Sequence, residues 1–500
     1  MDVEFLRNKY EDSYDGVVTK TKFKIGIRHL QMVYMFLCTL IMGMMRSSNV
    51  IAVLAISDFT RNNETYLQIH NWDSRIQGTI FSSFFFGYAL IYLPAEIYLK
   101  QIGDKFVLTS VLLINGGLSA AMPTVVNKGG WIAVCNAEFL MGMTQACLFP
   151  INEQLICSWL PPGERKIFGP IIQGAILLGT VIAFPISGYL SQTRLGWELI
   201  FYSQAMTTLS MAAIWALLTA GSPDSHQAIG DEEKDFIRQA LSTYRKKKLN
   251  NPWRQILRTK TFWALALSHS AASAVFIFFV VEVPAFLLIL NSSIRISSSL
   301  ASLPLICMWS VHVLSAPALD FVFNIGLAGF LFDVKHFRKI INSIATFGIV
   351  IGLMTLPNLI ASWNQLGLFV LMGTLGLLGL QFSGFLENHR DMTQNFSGTL
   401  LTMTSAVSNV IAALIPLVSG FIISDNMMEI KRWRIIFFTL AGFYVVCNIV
   451  YNVFGSSDRQ DWDRCDKKIF GYINDVSGLE MEELNQTKTI KKVIEEDTVV

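Results

Sequence analysis

Charge is what this sequence has least of. Only 15% of its 500 residues are Asp, Glu, Lys or Arg, while 52% are hydrophobic, a balance too apolar for a soluble globular fold and one that makes lipid the main solvent. The few charges nearly cancel, 39 basic against 37 acidic for a net +2. The chain therefore lacks the long-range field with which nucleic-acid binders attract phosphates, and no nucleic-acid partner is expected. Its seven cysteines, Cys38, Cys135, Cys147, Cys157, Cys307, Cys447 and Cys465, include no Cys-x-x-Cys pair and no His/Cys ligand spacing. Most lie in apolar runs and read as small core residues, and no metal is expected. A nucleophile motif and a phosphate-binding loop beside a strand are also missing, so neither enzymatic activity nor an organic cofactor is expected.

Long apolar runs are what the chain has in abundance. A spanning helix needs about 20 mostly apolar residues, and twelve such stretches are predicted, near 30–56, 77–99, 106–126, 131–159, 168–190 and 197–220, then near 261–290, 299–323, 337–360, 366–387, 396–423 and 433–454. The polar opening MDVEFLRNKYEDSYDGVVTKTKFKIGIRH is too long for a signal-peptide n-region and no small-residue cleavage site follows it, so the first run is expected to be a retained span. Between the two groups lies the one long polar interior segment, in which Asp231 is placed to cap an amphipathic helix through Phe236, Ile237 and Leu241.

Loops assigned alternately, with the N-terminus inside, place roughly thirty Lys and Arg on that side and roughly eight on the other. The expected organisation is a cytoplasmic tail over 1–29, a six-helix half over 30–220, a cytoplasmic linker over 221–260, a second six-helix half over 261–454 and a cytoplasmic tail over 455–500. Of the four Asn-x-Ser/Thr sequons, Asn63 and Asn291 then fall outside and Asn395 and Asn485 inside, and Asn63 is the better glycosylation acceptor. An all-α polytopic membrane protein with twelve transmembrane helices in two six-helix halves is the layout of the major facilitator fold, whose halves rock about a site near the bilayer midplane. Pro94, Pro150, Pro185, Pro284 and Pro416 are expected to break or kink their spans.

Particular strings sharpen this. IQGTIFSSFFFGYALIYLP with the following IGDK, the segment GMTQACLFPINEQLICSWLPPGERK, GWELIFY, FLENHRDMTQNFSGTL and FGSSDRQDW together resemble solute carrier family 17, the sodium/phosphate and organic-anion symporters that include the sialate and vesicular glutamate carriers. The resemblance runs over most of the chain. It implies a transporter of small anions such as phosphate or an organic acid, driven by membrane potential or by a Na+ or H+ gradient, acting as a monomer in the plasma membrane or an endolysosomal or vesicular membrane.

Ionisable groups inside a bilayer are costly unless they face a wet cavity or a partner, so each is a candidate for function. Arg46, in MMRSSNVIAV, matches the family's cavity arginine, and its guanidinium suits a pair of carboxylate or phosphate oxygens. Phe81, where vesicular glutamate members carry a histidine, and Phe85 are expected to shape the cavity wall. Glu138 stands where organic-anion members place a second arginine, and Gln145 where the family often carries a glutamate tied to ion coupling. An Arg46–Glu138 pair that neutralises itself until substrate or a proton arrives is one reading, a fixed structural pair the other. Glu164 and Arg165, after Pro161 and Pro162, are expected to make charge pairs at a gate, as are Asn388 and Asp391 at the inner end of span ten. Glu282, just before Pro284, is read either as a vestibule acid or as a hydrated residue at a helix end. His269 and His312, in spans seven and eight, are read as hydrogen-bonded to a neighbouring helix or as proton relays.

Overall fold

The computed structural model describes residues 26–61, 67–98, 102–243, 251–289, 293–324, 334–362, 364–381, 385–393, 395–424 and 426–463. The first-half helices are α1 (Ile27–Ile56), α2 (Ser74–Tyr98), α3 (Asp104–Gln145), α4 (Leu148–Trp159), α5 (Pro162–Leu190) and α6 (Trp197–Leu218). In the linker lie α7 (Asp231–Thr243) and α8 (Trp253–Arg258). The second half contains α9 (Lys260–Val281), α10 (Val283–Leu287), α11 (Ile294–Asn324), α12 (Val334–Ser362), α13 (Asn364–Gln381), α14 (Glu387–Met392), α15 (Ser397–Ile423) and α16 (Ile430–Phe454). No strand occurs among the described residues.

Twelve spans follow from these helices. Ten apolar helical stretches are long enough to cross a bilayer, one of them the 56 residues Asp104–Trp159. At 1.5 Å per residue the 42 residues of α3 alone would reach about 63 Å, twice the hydrocarbon thickness. The chain turns at Gly130, whose φ of 66° and ψ of −170° lie outside the helical region and suit glycine, so α3 supplies span three and the start of span four. The shorter apolar helix Gln365–Gln381 supplies span ten. Large apolar side chains such as Met206, Leu217, Leu314 and Phe369 point outward from the bundle, as lipid-facing residues must.

The prolines divide into two sets. Pro150 sits just past the break between α3 and α4, and Pro284 follows the break between α9 and α10. Pro94, Pro185 and Pro416 remain within continuous helices, where neighbouring helices in lipid tolerate the missing hydrogen bond.

The two halves repeat one another. In the first, α1 packs on α5 and α6, α2 on α3, and α3 on α6; in the second, α9 packs on α15 and α16, α11 on α13, and α12 on α16. The same polar pair recurs at matching places, with Gln145 Nε2 donating to Asn115 Oδ1 at 3.0 Å and Gln381 Nε2 to Asn342 Oδ1 at 2.9 Å. Each pair joins the fourth span of its half to the third.

The halves meet along α2 with α15 and α5 with α11. The contact is tightest on the side opposite the linker, here called the outer side. There Gly78 and Gly420 bring two backbones together: a Cβ at Gly78 would collide with the Pro416 carbonyl oxygen, and one at Gly420 with that of Ser74. Arg75 Nε donates to Ser424 Oγ at 2.8 Å, and Ser74 N to the Ser424 carbonyl at 3.3 Å. Ser424 itself has a φ of 53°, a strained backbone for a non-glycine residue that costs about 1–3 kcal/mol. Arg295 of α11 stacks over Tyr189 of α5 at 5.4 Å on the same side. The outer seam is closed.

If glycine at the α2–α15 crossing is what permits this closure, Gly78→Val will hold the seam apart. In an otherwise cysteine-free protein, Leu54→Cys, which lines the seam, should then react faster with a membrane-impermeant maleimide than it does beside Gly78. Equal labelling rates would show that the crossing does not limit closure.

Candidate functional site

The centre of the molecule is built on α1, whose second half from Ser47 to Ile56 is buried on all sides, as expected of a helix enclosed by others. Arg46 lies where this enclosed stretch begins. Its guanidinium carbon sits 5.0 Å from the centre of the Phe84 ring and 5.1 Å from that of Tyr88, two residues one turn apart on α2. Arg46 Nη2 reaches Gln145 Oε1 at 3.4 Å. Its Nε is buried with no hydrogen-bond partner among the described residues, and none of their carboxylates lies within salt-bridge range of it. Each cation–π contact contributes up to about 2 kcal/mol when water is excluded, which offsets part of the cost of a buried cation.

Arg46, Phe81, Phe85 and Glu138, predicted from the sequence to meet, line one pocket, together with Asn49, Phe84, Val280 and Val281. The two valines come from α9, so the pocket lies on the seam between the halves. Glu138 is 4% exposed, and its Oε1 accepts a hydrogen bond from Asn49 Nδ2 at 2.8 Å. This corrects the expected Arg46–Glu138 pair: Glu138 is held by Asn49, one turn along α1 from Arg46, and the two charges share a cavity without an ion pair. Asn49 Oδ1 is buried and unpartnered among the described residues.

Glu282 departs from the hydrated-end reading. It caps the break between α9 and α10, is 6% exposed, and accepts a 2.5 Å hydrogen bond from Ser419 Oγ of α15. It lines a second small space on the outer seam with Ser74, Gln77, Gly78 and Phe81. Phe81 and Val281 border both spaces.

Comparison with known proteins agrees with this architecture. Residues 35–388 match the model of the Major Facilitator Superfamily. A putative inorganic phosphate cotransporter of Drosophila ananassae is 30% identical over 397 residues, covering 78% of this chain and 81% of that protein. Human sialin is 27% identical over 395 residues, covering 79% and 78%. The chain belongs to the major facilitator superfamily, in solute carrier family 17. Among solved structures, a bacterial homologue of the lysosomal transporter Spinster in an inward-facing conformation aligns with a TM-score of 0.61 at 14% identity, over 85% of this chain and 96% of that one. The inward-open xylose transporter XylE of E. coli aligns with a TM-score of 0.62 at 12% identity, over 85% and 96%.

The remaining candidates of this family 17 transporter lie away from the pocket or beneath it. Gln145 sits under Arg46, joined to Asn115, which in turn donates to Thr144 Oγ1 at 2.8 Å. Glu164 does not pair with Arg165. Arg165 donates to the carbonyls of Leu160 and Cys157 at 2.8 and 2.9 Å and so closes the end of α4. Glu164 instead takes both Arg28 Nε at 3.0 Å and Nη2 at 2.9 Å, while Arg28 Nη1 binds Glu233 of α7 at 3.0 Å. Glu233 also accepts the backbone N–H groups of Ile27 and Arg28. Arg28, 1% exposed, thus clamps the linker helix to the first half, and Ile237 of α7 packs into the same inner core as Met32 and Trp159. At the inner end of the second half, Asn388 Nδ2 donates to Tyr451 Oη at 3.1 Å and Asp391 pairs with Arg338 at 3.2 Å, contacts that stay within that half.

Sequence reading missed Arg28, Glu233 and His389. His269, as one reading held, bonds to a neighbouring helix: its Nδ1 lies 3.2 Å from Thr404 Oγ1, which His389 Nε2 also meets at 2.8 Å. Asn63 lies outside the described residues.

Removing Arg28 leaves the buried Glu233 carboxylate without its cation, a change that costs about 3–5 kcal/mol in comparable pairs. Arg28→Ala should therefore speed hydrogen exchange across Asp231–Thr243 by about two to four orders of magnitude, with α5 little affected. Unchanged exchange in α7 would remove the clamp from this account.

Proposed function

We propose that the protein moves small anions, inorganic phosphate or organic anions, across a membrane by alternating access, with Arg46 as the anion anchor. One observation carries the reading: a membrane-embedded guanidinium steadied by two aromatic faces, with no carboxylate partner among the described residues and with a buried N–H left unsatisfied. Such a group is complementary to an incoming oxyanion, and the planar fork suits a bidentate contact. Phe81 and Phe85 exclude water from the ligand, which strengthens the charge contact. The relatives point the same way, since their names include inorganic phosphate cotransporter, sodium-dependent phosphate transport protein and vesicular glutamate transporter.

In this proposal the closed outer seam is one end of the cycle. Opening it requires α2 to part from α15, and Phe81, which borders both spaces, moves with α2. Coupling to Na+, H+ or membrane potential falls to the buried acids, Glu138 in the cavity and Glu282 on the seam. The cavity lies within one chain, so a monomer suffices. The plasma membrane or an endolysosomal or vesicular membrane is the proposed location, with Asn63 glycosylated on the outer side. A second reading, a transporter-derived protein with a non-anionic substrate or a sensing role, rests on Glu138, whose charge opposes anion binding.

Purified protein in liposomes should take up labelled phosphate, glutamate, urate or sialate saturably under an imposed voltage, pH or sodium gradient, with uptake lost in Arg46→Ala. Removing a charged hydrogen-bonding anchor should lower uptake at limiting substrate by about tenfold or more. Folded wild-type protein that moves none of these anions under any gradient would give the second reading precedence.

A further inference from the structure

We infer that Asn49 is the positioning residue of this site: by holding Glu138 it keeps the carboxylate of the pocket off Arg46 and so leaves the guanidinium open to an anion. The inference rests on the anion-transport reading and names what sets the strength of binding there. Arg46, Asn49 and Glu138 line one cavity, whose other lining side chains are valines and phenylalanines. Arg46 and Asn49 are therefore the two hydrogen-bond donors within it. α1 and the end of α3 run in opposite directions, so that Gln145 meets Arg46 while Glu138, seven residues earlier, meets Asn49, three residues later. Among the described residues Asn49 gives Glu138 its one hydrogen bond, at 2.8 Å.

Without the Asn49 amide, Arg46 is the donor left to the carboxylate. Residues three apart on a helix have Cβ atoms about 5–6 Å from one another, a gap that a glutamate side chain covers by changing rotamer. The polar contact that Arg46 now makes with Gln145 is neutral and long, 3.4 Å. A guanidinium meets a carboxylate at about 2.7–2.9 Å in a bond roughly twice as strong as a neutral one, so an ionised Glu138 displaces Gln145 and occupies the face that an anion needs. The amide itself shows which task it serves. Its Nδ2 donates to Glu138, while its Oδ1 stays buried without a partner among the described residues. An unmet buried acceptor lowers stability, and a leucine of similar outline would fill the position without one. The asparagine is explained by the carboxylate it holds and not by packing.

A double-mutant cycle tests this. Equilibrium binding of labelled phosphate, glutamate and glutarate is measured on the detergent-solubilised wild type, Asn49→Leu, Glu138→Gln and the double variant, each first shown to elute as a monodisperse species and to melt close to the wild type. Should Asn49→Leu fail that check, Asn49→Ala, which also lacks the amide, replaces it. Asn49→Leu should bind the best-bound of the three anions at least about tenfold more weakly, since a charge-assisted Arg46–Glu138 pair must be broken first. Made on the Glu138→Gln protein, whatever the affinity of that protein, the same substitution should change binding by less than about twofold, because no anionic side chain is left to occupy Arg46. A loss of similar size in both backgrounds would mean that Asn49 touches the ligand or supports α1 directly. Unchanged affinity in Asn49→Leu would mean that Glu138 is kept from Arg46 by other contacts. Either result overturns the inference and leaves anion binding intact. A folded wild type that binds none of the three anions removes the anion-transport reading, and the inference falls with it.

Discussion

The structure depends on how one buried cation is accommodated. A guanidinium inside a bilayer costs several kcal/mol unless it is paired or solvated, and among the described residues Arg46 has no carboxylate to pair with. Two ring faces, Phe84 and Tyr88, and one amide oxygen, that of Gln145, take the place of a counter-ion. The arrangement fixes the plane of the guanidinium while leaving its Nε free. Around it, α2 presents Phe84 and Tyr88 to Arg46, and Gln145 is oriented by Asn115 on the preceding span. A carboxylate in contact with Arg46 would have neutralised the site. The one present, Glu138, is drawn to Asn49 instead.

Two further sets of contacts hold the elements around the site. On the outer side the halves close through glycine, where Gly78 and Gly420 let α2 and α15 cross with their backbones in contact. On the inner side the linker helix is fastened to the first half by Arg28, which joins the head of α1 to Glu164 and Glu233. That ion cluster holds α7 to one half, so the linker travels with that half. The repeated Gln–Asn pairs, Gln145 with Asn115 and Gln381 with Asn342, keep the third and fourth spans of each half together as a unit, which suits rigid-body rocking.

Much of this was legible in the sequence because hydropathy is a strong signal and charge in the membrane is rare. The twelve runs correspond to helices, and Arg46, Phe81, Phe85 and Glu138 do share a cavity. Partnerships were not legible. Glu164 and Arg165 are neighbours in the chain, but Glu164 turns to Arg28, 136 residues away in sequence, and Arg165 turns to backbone carbonyls. Asn49 is neutral and left no mark in a search for charges, although it decides where Glu138 points. Glu282 resembled a boundary residue since it adjoins a proline, yet the helix break places it inside the seam. Arg28 and Glu233 resembled ordinary surface charges at the head of a span and in a polar linker, and only tertiary packing buries them.

The central claim is that a planar guanidinium, held by two rings and open at its edge, binds the anionic part of the substrate. Equilibrium binding of labelled glutamate, glutarate and phosphate to detergent-solubilised wild type and Arg46→Lys addresses it most directly, because lysine keeps the charge but loses the planar fork and the stacking. The account predicts that the best-bound of the three anions binds the lysine variant at least about tenfold more weakly, as loss of a bidentate charged contact requires. Equal affinity in the two proteins would mean that positive charge alone suffices, and the role assigned to the Phe84–Tyr88 clamp would be wrong.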